Sequence, residues 1–90
     1  MLKKGEAAAF EAVKSERAYQ NALGNDRVET QEKPLSVGEE LVILDTYLRR
    51  AQDAYTSNPG CEPALNEVRK VAAIAMRCME NHGAPLRKTT

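Results

Sequence analysis

Ser36-Val37-Gly38-Glu39-Glu40-Leu41-Val42-Ile43-Leu44 opens the clearest helix of the chain. Ser36 followed three residues later by Glu39 is a capping box. The hydroxyl takes a free N–H of the first turn, and the carboxylate reaches back to the cap N–H. Beyond it, Val37, Leu41, Leu44, Leu48, Ala51 and Tyr55 recur at alternating steps of four and three, which is one continuous face of a helix. Val42 and Ile43 widen that face. Asp45 and Arg49 stand one turn apart on the other side, an ion pair worth about 0.3 kcal/mol. Asn58-Pro59-Gly60 stops the helix sharply. The spacing predicts a helix over about 37–57.

Two further helices follow from the flanking sequence. Toward the C-terminus, Glu62-Pro63 places an acid and a proline in a first helical turn. His82-Gly83, with Pro85 beyond, ends a helix over about 62–81. Leu65, Val68, Ala72, Ala75 and Met79 form one stripe of it, and Val71, Ile74 and Cys78 a second. Val71-Ala72-Ala73-Ile74-Ala75-Met76 is apolar all round, the mark of a helix packed on more than one side. Toward the N-terminus, Glu6-Ala7-Ala8-Ala9 are strong helix formers, and Gly24 reads as a C-terminal stop. That predicts a helix over about 5–23 with a thin stripe of Phe10, Val13, Tyr19 and Leu23. Residues 24–35 read as a polar connector and residues 84–90 as a frayed tail. No strand pattern appears. The expected fold is all-α: three antiparallel helices in a single domain, completed by self-association into a homo-oligomer.

Composition bounds the function. The 90 residues carry 13 basic and 13 acidic side chains, so no overall field draws the chain to nucleic acid or to an anionic membrane. No apolar run approaches the roughly 20 residues of a membrane helix, and the N-terminus does not read as a secretory signal, so the expected location is the cytoplasm. In that compartment Cys61 and Cys78 are expected as reduced thiols. With two cysteines and one histidine, a zinc site lacks ligands. The zero net charge is nonetheless a sum over unlike parts. Residues 34–60 hold two bases and four acids, and residues 61–90 hold five bases and three acids.

Unlike charges on neighbouring helices serve pairing first. A sharper reading of the basic third is an anion pocket of Arg69, Lys70, Arg77 and Arg87, because an Arg fork matches phosphate oxygens. Glu16-Arg17-Ala18-Tyr19-Gln20 adds an aromatic ring beside a cation. That pair can stack on a base and hold a phosphate, or simply close the first helix. Glu39, Glu40, Asp45 and Glu67 read as solvated surface acids. As an alternative, Glu39, Asp45 and Glu67 are the carboxylates available to Mg²⁺ across a helix pair. His82 sits where a helix dipole favours a cation, a capping position. No nucleophile motif appears.

Glu16-Arg17-Ala18-Tyr19-Gln20, Ser36-Val37-Gly38-Glu39, Arg69-Lys70-Val71-Ala72-Ala73-Ile74-Ala75 and Met79-Glu80-Asn81-His82-Gly83-Ala84-Pro85, in that order, resemble a group of small phage and prophage proteins. These look like relatives of the all-α MazG-like nucleotide pyrophosphohydrolases. The resemblance implies Mg²⁺ held by paired acidic motifs, Glu-x-x-Glu and Glu-x-x-Asp, on two neighbouring helices. This sequence departs from both: Val42 and Ile43 stand where the partner acid of Glu39 and Glu40 belongs, and Lys70 follows Glu67. The expectation is therefore a non-catalytic accessory protein without a cofactor. It binds a small phosphorylated ligand, a nucleotide or nucleotide signal, and sequesters it in anti-defence. Arg17, Tyr19, Arg69, Lys70 and Arg87 form the expected grip. The alternatives are a diverged Mg²⁺-dependent pyrophosphohydrolase and a helical protein-interaction module.

Overall fold

The computed structural model describes residues 4–27 and 34–88, with side chains at 24–27 left aside. Three helices account for most of them: α1 (Lys4–Arg27), α2 (Val37–Ser57) and α3 (Glu62–His82). No strand occurs among the described residues.

The capping box forms as its sequence dictates. Ser36 Oγ accepts the Glu39 N–H at 3.1 Å, and Glu39 Oε1 accepts the Ser36 N–H at 2.9 Å. The Ser36 backbone N–H lowers the Glu39 pKa most, the Ser36 hydroxyl adds to it, and burial opposes. The turn at 58–61 joins α2 to α3, with Gly60 at φ 80°, a left-handed value that favours glycine. Pro63 lies in the first turn of α3, where its missing N–H costs nothing. At the other end, the Gly83 N–H closes on the Met79 carbonyl at 2.9 Å, with φ 119°.

One boundary differs from the sequence reading. Gly24 does not stop α1, which continues to Arg27. A single glycine costs a helix only about 1 kcal/mol, and a helix already a score of residues long absorbs that. The polar connector therefore loses residues 24–27 to the helix. Pro34 to Ser36 are non-helical, and the connector's residues 28–33 lie outside the described part. The segment after His82 is non-helical and exposed through Lys88.

α2 and α3 form an antiparallel hairpin. Glu40 meets Arg77, and His82 Nε2 donates to the Leu35 carbonyl at 2.7 Å. From the last turn of α3, His82 thus also ties the end of that helix to the start of α2. The backbone of α1 approaches α3 and not α2. Glu16 and Arg17, neighbours on α1, reach Arg69 and Glu80, which stand about three turns apart on α3. With extents of 41 × 38 × 24 Å, the molecule is a hairpin with α1 laid against its α3 side.

The core is small. Ala51, Ala64, Ala73 and Ile74 are its buried apolar residues, joined by the charged Glu16, Arg17 and Glu40. Much of the apolar periodicity points outward instead. Val37, Leu41, Leu48 and Tyr55 of α2 and Leu65, Val68 and Met79 of α3 are exposed, Leu48 at 48%. Together they give the hairpin an uncovered apolar face. No helix among the described residues is long and apolar enough to cross a membrane. Both thiols are free, Cys61 exposed beside the turn and Cys78 half-buried.

Candidate functional site

A cleft of about 710 Å³ opens between α1 and the hairpin. Arg17, Tyr19, Gln20 and Asn21 of α1 form one wall. Glu40, Ile43 and Tyr47 of α2 form another, and Lys70, Ile74, Arg77 and Asn81 of α3 form the floor. Pro34 and Leu35 close one end. Helical spacing explains the gathering. Residues 40, 43 and 47 share one face of α2, and 70, 74, 77 and 81 one face of α3.

Tyr19 is 61% exposed, so its ring is open to a ligand. Tyr47 is half-buried, with the Arg50 guanidinium 4.6 Å above its ring. The charged groups are paired one to one. Arg17 donates twice to Glu80, at 2.5 and 3.2 Å, and once to Gln20 at 3.1 Å. Arg77 donates twice to Glu40, at 2.5 and 2.8 Å. Arg69 donates to Glu16 at 2.9 Å and to Asn66 at 2.8 Å. Lys70 donates to Glu67 at 3.2 Å. These bonds shape the titration of two groups. The hydrogen bonds from Arg17 hold the Glu80 carboxyl below its usual 4.5, against a smaller upward push from burial. The bonds to Glu40 raise the Arg77 pKa, with burial opposing.

The five residues expected to grip a ligand divide. Arg17, Tyr19 and Lys70 line the cleft. Arg69 is not itself a lining residue but donates to Glu16, which is one, and to Asn66. Arg87 stands on the exposed segment after α3. Of the anion pocket of Arg69, Lys70, Arg77 and Arg87, the cleft brings Lys70 and Arg77 together, each paired with a glutamate, and Arg69 and Arg87 are not among its lining residues.

The carboxylates of the metal reading stand apart. Glu39 caps α2, Asp45 pairs with Arg49 at 3.1 Å, and Glu67 pairs with Lys70. Glu67 keeps one buried oxygen without a hydrogen-bond partner. Among the described residues, no three His, Cys, Asp or Glu side chains gather as a metal group.

Glu40 corrects the reading of the acids as solvated: its exposure is 0%. Its two oxygens are satisfied there by the Arg77 fork. The signal was present in the sequence. Glu40 lies three, four, seven and eleven residues before Ile43, Leu44, Tyr47 and Ala51, squarely on the inward stripe. Glu16 is likewise buried, which its place in the Glu-Arg-Ala-Tyr-Gln stretch did not announce. No family model, no curated protein and no solved structure matches this chain.

Proposed function

We propose that this chain is a non-catalytic accessory protein that takes a small phosphorylated ligand, a nucleotide or nucleotide signal, into the cleft between α1 and the hairpin. The observation that carries this reading is the meeting of Tyr19, Arg17 and Lys70 at one opening of about 710 Å³. That volume lies within the range of small-molecule sites. An exposed ring beside cations offers stacking for a base and charge for a phosphate. Gln20, Asn21 and Asn81 add amide donors and acceptors for a base edge.

Each cation that lines the cleft is paired with a glutamate, so a phosphate competes with carboxylates for them. The exchange is feasible at Arg17, because its partner Glu80 is 47% exposed and can turn to water. Affinity in this reading rests on stacking as much as on charge. Binding without turnover also suits a site whose carboxylates are engaged with cations. Sequestration of a nucleotide signal used in host defence is the role that fits such a protein.

The partner expected on the protein side is a second copy of the chain, seated on the apolar face of the hairpin. A small core and a row of exposed Leu, Val and Met side chains support it.

Titration calorimetry with mono-, di- and cyclic nucleotides tests the ligand reading. At least one class is expected to bind. Tyr19→Ala and Lys70→Ala are each expected to weaken that binding about tenfold, the equivalent of one stacked base or one charge-assisted bond. No heat across the whole panel contradicts the reading.

A further inference from the structure

We infer that Arg50 is the cation that takes the ligand's phosphate, at the end of the cleft nearest the α2–α3 turn. The inference rests on the ligand reading and gives the bound molecule a direction. Each cation lining the cleft already holds a carboxylate: Arg17 that of Glu80, Lys70 that of Glu67 and Arg77 that of Glu40. Arg50 is placed differently. Among the described residues no carboxylate pairs with it. Its guanidinium lies 4.6 Å from the centre of the Tyr47 ring, and Tyr47 lines the cleft. The acids nearest it along α2 are turned elsewhere: Asp45 pairs with Arg49, and Asp53 borders a hollow with both of them.

The helix explains the position. Arg50 stands one turn beyond Tyr47 on the same face, and helical side chains lean toward the N-terminus. Arg50 therefore covers Tyr47 from the side of the turn. Glu40 opposite Arg77 sets the hairpin register, which brings Tyr47 level with Lys70 and Arg50 level with Glu67. At this end of the cleft two cations, Arg50 and Lys70, stand against the one carboxylate of Glu67. A phosphate arriving there meets a charge that no protein group has to give up. At Arg17 or Arg77 it must first open a two-point fork. A guanidinium stacked by its face keeps its N–H edge for an anion, so Arg50 can hold ring and phosphate together. The far end carries Gln20, Asn21 and Asn81, amides suited to a base edge, with Tyr19 to stack on it.

Titration calorimetry of the full chain with mono-, di- and cyclic nucleotides, at low and high NaCl, tests it. For whichever nucleotide the wild type binds, Arg50→Gln is expected to bind about tenfold more weakly, the loss of one charge-assisted bond. Its affinity is also expected to respond less to salt, because one ion pair with the ligand is gone. Arg50 is exposed, so the variant is expected to melt with the wild type by circular dichroism. Arg50→Lys keeps the charge and is expected to keep the wild-type salt response. Unchanged affinity or an unchanged salt response in Arg50→Gln overturns the inference and leaves the ligand reading standing. So does a variant that fails to fold, or Arg50→Lys behaving as Arg50→Gln does. A wild type that binds none of the panel overturns both.

Discussion

Glu40 shows how a single side chain sets the cost of an arrangement. Its carboxylate is fully buried, and the Arg77 fork is the group that answers it. Removing one member of such a pair strands the other charge in a poorly solvated site. Arg77→Met is therefore expected to destabilise the fold by about 3–5 kcal/mol in urea titration. Glu40→Leu with Arg77→Met is expected to recover most of that loss. A loss under about 1 kcal/mol in the single variant contradicts the pair's role. Glu80 makes the complementary point about acid. Its folded pKa lies below the usual 4.5, held there chiefly by hydrogen bonds from Arg17. A depressed carboxylate stabilises the fold above its unfolded pKa, and the benefit fades as pH falls through the folded value. A carbon-13 titration of the Glu80 carboxyl should thus show a midpoint below 4.5. In Arg17→Met the midpoint should return toward that value. A wild-type midpoint at or above it contradicts the pair.

At the scale of the element, the start of α2 depends on two side chains. Ser36→Ala removes the acceptor for the Glu39 N–H and is expected to cost about 1 kcal/mol by denaturant titration. An unchanged midpoint contradicts the capping box. This helix was the most legible part of the sequence, since its cap, its period and its Asn58-Pro59-Gly60 stop are all local signals. The end of α1 was less legible. Gly24 carries the composition of a stop, yet nothing near it outweighs the propagation of a long helix. Exposure was the least legible property. Periodicity identified the face of Leu41 and Leu48 but not whether α1 covers it. That depends on Glu16 and Arg17 drawing α1 across α3, a choice made by contacts distant in sequence. For the cleft, residue types pointed to Arg17, Tyr19 and Lys70. They could not exclude Arg69 and Arg87, whose separation from the cleft is decided by partners on another helix and by chain direction after Gly83.

At the scale of the molecule, the equal counts of bases and acids take on a local meaning. Four glutamates and four cations are spent on one another around α3, and the apolar face stays uncovered. A chain with so few buried apolar side chains and so many exposed ones is expected to complete itself with a second copy. The proposed association and the proposed ligand can be read in one measurement. Native mass spectrometry of protein purified from cells reads both at once. Assemblies at multiples of 9.9 kDa are expected, carrying an added mass that matches a phosphorylated small molecule. A lone 9.9 kDa species at micromolar concentration, with no added mass, would contradict it.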